Sequence, residues 1–399
     1  MKQYIALILL ISFILISEVF SYISIKRNFK NKRIFNWIWW SSTLLLYGGF
    51  WAIRVFASNY ARNWFVNIFA IILITKFALS LFFILSEFIR KTRNTLKKPT
   101  SEVNLSRREF SSKMALGLAS VPFFSIQWGL FRTAYNFKLH EVNVKIPNLP
   151  KAFQGFKIVQ LSDIHTGSLQ SHHQLQKAIE LVLEQKPDII CFTGDLVNNR
   201  TDEVYPYMAD LRTLKAPYGV LSVLGNHDYG DYETWPSEAE KQQNLVAMHE
   251  VHKQLGWNLL LNEQFSIEKD GEKLHFIGVE NWGANLHFPK YGKLNEAYQG
   301  LEQAGTKILL SHDPSHFDTE VTEHFKDIQL TLSGHTHGFQ FGIEIPGYVK
   351  WSPSQYVYKR WAGLYRKGNQ QLYVNRGLGC LGYMGRIGIR PEVTVITLV

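Results

Sequence analysis

The 399-residue chain contains little cysteine, and its first third lacks histidine and has very few acidic residues. Two cysteines, Cys191 and Cys380, are too few for a disulfide framework or for a cysteine-rich zinc site. All 14 histidines lie at or beyond residue 140. Residues 1–140 contain 19 Lys and Arg but only 4 Asp and Glu. The two parts of the chain are therefore expected to lie in different solvents.

The net charge separates the same two parts. Residues 1–140 carry a net charge of +15, and because the whole chain carries +10, residues 141–399 carry −5. A domain of net negative charge repels the phosphate backbone of nucleic acids wherever it lacks a local basic patch or bound cations. We therefore expect no nucleic-acid partner, and a nuclease acting on long polyanions is disfavoured.

The first part of the chain consists largely of long apolar runs. Three of these runs are long enough to cross a hydrocarbon layer of ~30 Å as helices, and they cover residues 4–25, 37–57 and 64–89. A fourth run, residues 114–131, is interrupted by Pro122, although neighbouring helices can satisfy its backbone. We therefore predict a membrane region at residues 1–135, with four transmembrane helices, and a separate domain at residues 136–399.

The basic residues predict how these helices are oriented. Five Lys and Arg lie between the first two runs, at residues 26–33, and seven follow the third run, at residues 90–108. The loop between the second and third runs has only Arg62. Lys and Arg concentrate in cytoplasmic loops. We therefore predict a multi-pass protein of the cytoplasmic membrane whose domain 136–399 lies on the extracytoplasmic side.

The second part of the chain has the pattern of an α/β domain. Eight short apolar runs have the length and composition of buried strands, and they cover residues 156–161, 189–192, 220–224, 274–279, 308–310, 328–332, 372–374 and 393–398. Residues 173–185 predict a helix, because Leu175 and Ile179 lie on one face of it. The polar stretch at residues 229–263 is expected to be helix and loop that covers an edge of the sheet. Strands that alternate with helices are typical of the α/β class.

Five of the apolar runs are followed by residue types that bind metals. The five segments are Ser162-Asp163-Ile164-His165, Gly194-Asp195, Gly225-Asn226-His227-Asp228, Ser311-His312-Asp313 and Gly334-His335-Thr336-His337. Residues two apart on an extended chain point to the same side, so Asp163 and His165 can bind one ion together. Loops after the carboxyl ends of strands in open α/β sheets converge at one edge. Each segment alone is a weak indication, but the five together predict a metal site.

In this order, the five segments resemble the motifs of the calcineurin-like metallophosphoesterase family, and the resemblance covers residues 137–399. It implies a four-layer αββα sandwich, in which two β-sheets are flanked by helices, and a centre of two divalent cations. It also implies a role for each motif residue. One cation would be bound by Asp163, His165 and His337, the other by Asn226, His312 and His335. Asp195 would bridge both cations, His227 would contact the phosphoryl or leaving-group oxygen, and Asp228 would orient His227.

These residue types suit the hydrolysis of a phosphoester. The substrate is anionic and repels hydroxide, and two cations ~3.5 to 4 Å apart can hold its oxygens and lower the pKa of water. A carboxylate such as Asp195 can bridge two cations. An imidazole, whose ordinary pKa is near 6.5, can assist proton transfer to a leaving alkoxide. His227 carries such a group. Nitrogen and oxygen ligands without thiolate suit Mn, Fe or Zn.

We therefore expect a membrane-anchored, two-metal phosphoester hydrolase, more specifically a phosphodiesterase. The alternative is a metal-dependent sensor or binding module of the same fold whose catalysis has lapsed, against which the presence of all seven proposed ligands argues. The substrate stays open. A tether to the bilayer suits a lipid-linked phosphoester, but it equally suits an enzyme that is retained near the membrane and acts on soluble nucleotides or wall intermediates.

Four further residues have no assigned role. Phe339 stands where many relatives have glycine after the last histidine, and it is expected to narrow the pocket. Arg376 lies among glycines and could bind an anion, although turn formation explains the glycines equally well. Glu18 and Lys76 fall inside predicted membrane spans, where charged side chains are costly. Their predicted depths differ by ~9 Å, so no ion pair between them is predicted.

Overall fold

A computed structural model describes residues 2–26, 31–56, 59–96, 105–285, 288–301, 305–345 and 347–399 of the chain. The chain forms two compact units. One contains Met1–Leu130 with Gly382–Met384, and the other contains Phe131–Leu381 with Gly385–Val399.

Four long helices make up most of the first unit, namely α1 (Lys2–Lys26), α2 (Lys32–Phe56), α3 (Asn59–Leu96) and α4 (Leu105–Phe131). Each includes the described part of one of the four apolar runs of the sequence and extends beyond it. Among the residues that the structure describes, no helix combines the length and the apolar character that crossing a membrane requires. Ala57, which ends the second predicted span, lies outside the described residues, as do residues 27–30 and 97–104 of the basic flanks.

Glu18 of α1 and Lys76 of α3 form a buried ion pair, which the sequence analysis did not predict. Lys76 Nζ lies 2.8 Å from Glu18 Oε1. Thr43 of α2 donates a hydrogen bond to the same oxygen at 2.5 Å, and Lys76 also lies over the ring of Trp39, 4.6 Å from its centroid. The length of the lysine side chain compensates for the difference in depth. This pair therefore connects three helices.

The second unit is built from strands and short helices. Its strands are β1 (Lys138–Val144), β2 (Lys157–Leu161), β3 (Ile189–Phe192), β4 (Val220–Ser222), β5 (Asn258–Leu259), β6 (Glu263–Lys269), β7 (Glu272–Gly278), β8 (Thr306–Leu310), β9 (Leu330–Ser333), β10 (Ile343–Ile345), β11 (Val349–Trp351), β12 (Gly363–Lys367), β13 (Gln370–Val374) and β14 (Glu392–Leu398). Its helices are α5 (His172–Glu184), α6 (Met208–Leu211), α7 (Glu238–Leu255), α8 (Leu294–Tyr298) and α9 (Thr322–His324).

The strands form two mixed six-stranded sheets and a small hairpin. The first sheet has the order β1-β14-β2-β3-β4-β5, and the second has the order β12-β13-β9-β8-β7-β6. Strands β2 to β5 are parallel, as are β7, β8, β9 and β13. Strands β10 and β11 pair only with each other among the described residues. All eight predicted strands are present, and the predicted helix at 173–185 is α5.

Three clusters of buried apolar side chains separate four layers. The central cluster lies between the two sheets and includes Ile158 of β2 and Phe276 of β7. A second cluster joins the outer side of the first sheet to α5 and α7, through residues such as Ile179 and Met248. A third joins the second sheet to α8, through residues such as Leu294. This layering of helices, sheet, sheet and helices fits the α/β sandwich that the motifs predict.

Candidate metal centre

The five predicted segments follow parallel strands at their carboxyl ends. Three of these strands, β2, β3 and β4, belong to the first sheet, and β8 and β9 belong to the second. The first predicted ligand after each strand is, in chain order, Asp163, Asp195, Asn226, His312 and His335. Loops from both sheets therefore meet at one site, as the topology of parallel strands requires.

Asp163, His165 and His337 form one group of converging ligand atoms, which all lie within 4.8 Å of one another. His165 Nε2 lies 3.1 Å from His337 Nε2, and His337 Nε2 lies 3.2 Å from Asp163 Oδ1. The carbonyl of Val197 lies 3.0 Å from His165 Nδ1. If Nδ1 donates to that carbonyl, the Nε2 lone pair is left for a cation.

Asp195, His312 and His335 form a second such group. His335 Nδ1 lies 3.3 Å from His312 Nε2 and 2.7 Å from Asn226 Oδ1, so the asparagine oxygen points at the same place. His312 Nδ1 lies 2.7 Å from the carbonyl of Thr193, which again leaves Nε2 for a cation. This group therefore offers nitrogen and oxygen ligands only.

A single oxygen of Asp195 lies beside both groups. Asp195 Oδ2 is 3.1 Å from His312 Nε2 and 3.6 Å from His165 Nε2. Its other oxygen, Oδ1, accepts a hydrogen bond from the backbone N–H of His227 at 2.9 Å. The seven predicted ligands are thus brought together in two groups that meet at Asp195.

Three of these residues have protonation states that suit cation binding, whereas His312 is protonated, because the charge of Asp195 outweighs burial and raises the pKa of His312 to about 10. A cation at its Nε2 would displace that proton. Burial raises the pKa of Asp163 and Asp195, but their histidine neighbours, chiefly His337 for Asp163 and His312 for Asp195, lower both pKa values below the ordinary range. Burial lowers the pKa of His165 well below its ordinary value. Ionised carboxylates and a neutral imidazole are the protonation states in which these side chains bind metals.

The backbone at the site is strained. A left-handed backbone, which costs a non-glycine residue about 1–3 kcal/mol, is present at five of the seven predicted ligands. These are Asp163 (φ 51°), His165 (φ 46°), Asp195 (φ 59°), His335 (φ 71°) and His337 (φ 50°). Such strain persists only where the surrounding structure imposes it, and it concentrates at functional sites. It is therefore an indication of function that does not depend on the motifs.

The motif glycines allow the loops to approach each other closely. A Cβ atom on Gly225 would lie 2.2 Å from Asp195 Oδ1, and one on Gly334 would lie 1.9 Å from Ser162 Oγ. Real Cβ atoms essentially never come so near to another heavy atom. Any side chain at these positions would displace the predicted ligands.

His227 lies next to the first group of ligands. Its ring centroid is 5.1 Å from that of His165 and 4.6 Å from that of Tyr232. His227 Nδ1 lies 2.6 Å from the carbonyl of Asn198. This contact fixes the orientation of the ring beside the cluster.

Asp228 has partners other than the one expected. Its carboxylate accepts hydrogen bonds from the backbone N–H groups of Asp195 at 2.8 Å, Leu196 at 2.7 Å and Gly225 at 2.9 Å. Burial and the charge of Asp195 raise its pKa to about 7. Asp228 therefore holds two ligand loops together, and His227 is held by the Asn198 carbonyl instead.

Three residues near the centre were not assigned a role from the sequence. Tyr358 Oη lies 2.6 Å from His335 Nε2, and Tyr232 Oη accepts a hydrogen bond from Asn226 Nδ2 at 3.0 Å. Asp313 Oδ2 is buried without a hydrogen-bond partner among the described residues, 3.7 Å from His335 Nε2. Only Asp313 could have been found from the sequence, because it follows His312 directly.

Arg376 is not placed to bind an anion. Its guanidinium is buried and forms ion pairs with Glu344 and, at 2.5 Å, with Glu392. Arg386, also buried, donates hydrogen bonds to the carbonyl groups of Arg376, Gly377 and Gly379. These two arginines therefore stabilise the loop beside the first ligand group, and turn formation accounts for the glycines.

Comparison with known sequences gives matches along both parts of the chain. Residues 2–134 match a family model described as "Probable Calcineurin-like phosphoesterase, transmembrane domain". Residues 156–339 match a family model described as "Calcineurin-like phosphoesterase". The second match includes every predicted ligand.

Three relatives illustrate the similarity. The "Uncharacterized metallophosphoesterase YkuE" of Bacillus subtilis is 32% identical over 74% of this chain and 98% of its own length. The "Transmembrane protein with metallophosphoesterase domain" of Danio rerio is 30% identical over 68% of this chain and 59% of its own length. The "Phosphodiesterase YaeI" of Escherichia coli is 29% identical over 61% of this chain and 82% of its own length.

Proposed function

Because this chain belongs to the calcineurin-like metallophosphoesterase family, we propose that its domain at residues 136–399 hydrolyses phosphoesters at a centre of two divalent cations. The observation that carries the proposal is the position of Asp195. Its Oδ2 atom lies within 3.6 Å of a histidine nitrogen from each of the two ligand groups. A bridging carboxylate between two cations needs such a position.

The ligand set fits two divalent cations. One cation would be held by Asp163, His165 and His337, the other by Asn226, His312 and His335, with Asp195 shared. Nitrogen atoms of neighbouring histidines approach within 3.1 Å and 3.3 Å in the two groups, and a cation between them would satisfy their lone pairs. The absence of cysteine from the set favours Mn, Fe or Zn.

Bound divalent cations would supply the positive charge that an anionic phosphoester needs and would make water a stronger acid. The protein would supply the proton for the leaving oxygen. His227 is the candidate, because its ring is held beside the cluster by the Asn198 carbonyl and lies outside both ligand groups. General acid catalysis of this kind contributes about 10² to 10⁴ in rate.

We further propose that the substrate is a phosphodiester. The support is the name of the Escherichia coli relative, "Phosphodiesterase YaeI". Hydrolysis of a phosphodiester breaks one P–O bond, so that one ester group leaves as an alcohol or alkoxide, which a positioned imidazole can protonate, and a phosphomonoester remains.

A comparison of two variants tests the proposal. Full-length protein purified in detergent and loaded with Mn²⁺ should hydrolyse bis-p-nitrophenyl phosphate. Asp195→Ala should lose both bound metal and activity, because the shared oxygen is removed. His227→Ala should keep its metal and lose about 10² to 10⁴ in kcat on a phosphodiester with an alkoxide leaving group. The loss on bis-p-nitrophenyl phosphate should be smaller, because p-nitrophenolate leaves with little need of a proton. Metal content by mass spectrometry and the rates of alcohol and p-nitrophenol release are measured on the same samples.

His172→Ala is the matched control, because the side chain of His172 is 57% exposed and pairs with Asp210 away from the ligand groups. It should keep both metal and activity. If wild type and His227→Ala bound metal and a phosphodiester equally and neither gave product from a broad phosphoester panel, a binding module would be favoured over an enzyme.

We also propose that residues 1–135 anchor the protein in the cytoplasmic membrane, with the catalytic domain outside. The support is the match of residues 2–134 to a transmembrane-domain family and the distribution of basic residues in the loops. Protease added to intact spheroplasts should degrade residues 136–399. Protection of these residues until the cells are lysed would contradict the proposed orientation.

A further inference from the structure

The hairpin of β10 and β11 exposes its apolar side. Phe341, Ile343, Ile345, Val349 and Trp351 lie on one face, which we name the apolar face, because β10 side chains at alternate positions share a side and Ile343 pairs with Trp351 across the ladder. Phe341, Ile343, Ile345 and Val349 are between 43% and 52% exposed. Tyr348 at the tip of the hairpin is 88% exposed.

The opposite face of the hairpin is charged and turns toward the body of the domain. Glu344 and Lys350 pair with each other across the ladder. Glu344 forms an ion pair with the buried Arg376. Lys350 donates a hydrogen bond to the carbonyl of Ala362 and lies over the ring of Trp361. A half-buried hairpin normally has the reverse arrangement, with its apolar side inward.

The apolar face continues into Tyr356, whose hydroxyl lies 3.5 Å from Trp351 Nε1 and which is 77% exposed. Phe339 and Val357, which are near the hairpin in sequence, are 46% and 60% exposed. Single exposed apolar residues need no explanation, but a contiguous exposed patch indicates an interaction surface. The mixture of tyrosine, tryptophan and aliphatic side chains is typical of surfaces that meet the interface between lipid and water.

The charge near the hairpin differs from that of the rest of the domain. Between His337 and Trp361 the chain has three basic residues and one acidic residue, Glu344, which is paired with Arg376. One of the three basic residues, Arg360, is paired with Asp318. Residues 141–399 as a whole carry a net charge of −5. The hairpin is therefore a part of a negatively charged domain that can approach phospholipid headgroups without repulsion.

We propose that the apolar face docks on the surface of a lipid bilayer. A bilayer combines an apolar interior with polar headgroups. The membrane anchor proposed for residues 1–135 would keep a bilayer near every copy of the chain, and its support is the match of residues 2–134 to a transmembrane-domain family. This inference rests on the proposed membrane anchoring for the supply of that surface. It adds a second point of contact with lipid, on the catalytic domain itself.

The hairpin is fixed to the metal centre. Phe341 follows His337 by four residues, and Ser352, directly after β11, donates a hydrogen bond to the carbonyl of Gly338 at 2.7 Å. The same segment continues to Tyr358, whose hydroxyl contacts His335. Docking would hold the ligand loops next to the bilayer surface. The substrate class that follows is a phosphoester with an apolar tail that stays in the membrane.

Fluorescence quenching tests the docking without reference to activity. The full chain with Tyr348→Cys is labelled with an environment-sensitive dye and reconstituted into phosphatidylcholine vesicles that contain spin-labelled lipids. Both native cysteines are buried, so labelling is selective. The dye should shift its emission to the blue and be quenched by the lipids. Val246→Cys on α7, whose side chain is 59% exposed, is the matched control and should show neither effect.

Two results would overturn the proposal. One is a dye at position 348 that stays in water and unquenched in a folded protein. The other is a dye that is shielded at a high ratio of protein to lipid and exposed at a low ratio. A second copy of the chain, and not the bilayer, would then cover the apolar face. An adjacent helix of the same chain would shield the dye in detergent as well as in vesicles, which would equally contradict docking on lipid.

A kinetic comparison tests the consequence for the substrate. Combined substitution of Ile343, Ile345 and Val349 by serine should raise KM about tenfold or more for a long-chain alkyl p-nitrophenyl phosphodiester in vesicles, since each buried methylene changes partitioning about fourfold. The rate on soluble bis-p-nitrophenyl phosphate should not change. Val246→Ser should affect neither substrate. Equal KM values for the triple variant and wild type on the vesicle substrate would contradict docking. If wild type turned over neither substrate, the proposed hydrolase would be contradicted, and the quenching test of docking would still be valid.

Discussion

Replacing Asp228 by asparagine should lower the free energy of unfolding, because the Asp228 carboxylate accepts hydrogen bonds that hold two ligand loops together. One carboxylate oxygen accepts the N–H groups of Asp195 and Gly225, and the other accepts those of Leu196 and Val197. An amide nitrogen in place of either oxygen leaves two buried donors without an acceptor. Each such donor costs about 1–3 kcal/mol, so the free energy of unfolding should fall by about 2–6 kcal/mol.

Denaturant unfolding of the full chain in detergent, followed by tryptophan fluorescence, measures this loss. A chelator is present so that metal binding does not contribute to stability. Asp202→Asn is the control, because the carboxylate of Asp202 is 56% exposed, and an exposed substitution should change stability by less than about 0.5 kcal/mol. If Asp228→Asn were as stable as this control, the carboxylate would not be holding the loops together.

Three further predictions follow from contacts near the centre. In Gly225→Ala the new Cβ would overlap the carboxylate of Asp195, so mass spectrometry should find less bound metal. The circular dichroism should be unchanged, and full metal occupancy would contradict the prediction. Tyr358→Phe removes a hydrogen bond of 2.6 Å to a ligand histidine and should weaken metal binding about 10- to 100-fold in a chelator competition, and unchanged affinity would refute a positioning role. Glu392→Gln removes one of the two ionic partners of the buried Arg376 and leaves only Glu344, so the loss should stay below the about 3–5 kcal/mol of a fully unpaired buried charge. Burial opposes ionisation of Glu392, but Arg376 lowers its pKa from 4.5 to about 2. The stability due to this carboxylate is therefore complete above pH 4.5 and is lost as the pH falls toward 2. The difference in unfolding temperature between wild type and Glu392→Gln should shrink as the pH falls from 4.5 to 2.

The strands that could be predicted are those buried on both faces. Every residue of β3, β8, β9 and β13 is buried, and such strands appear in the sequence as continuous apolar runs. In contrast, β6 is largely exposed, and the polar residues of β1 are partly exposed. Strands of this kind carry no apolar run, so their existence depends on partners that only the folded chain supplies.

The predicted ligands could be found because each depends on the chemistry of its own side chain. The groups that orient the histidines could not be found from the sequence. His165, His312 and His227 are oriented by the backbone carbonyl groups of Val197, Thr193 and Asn198, and a backbone carbonyl has no signature in the sequence.

Asp228 illustrates a second limit. The sequence analysis expects Asp228 to orient His227, but neighbours in sequence point in different directions. The carboxylate is satisfied by buried backbone N–H groups from another loop, which no spacing rule reveals. The ion pair of Glu18 and Lys76 shows the same limit in the helical unit, because the reach of a lysine side chain decides the contact.

The most direct test of this account is an anomalous-scattering map of crystals of the full chain loaded with Mn²⁺. We predict two cations per chain, with Asp163, His165 and His337 on one, Asn226, His312 and His335 on the other, and Asp195 in contact with both. A map with a single cation or none among these residues would contradict the central claim that two ligand groups sharing Asp195 form a binuclear hydrolytic centre.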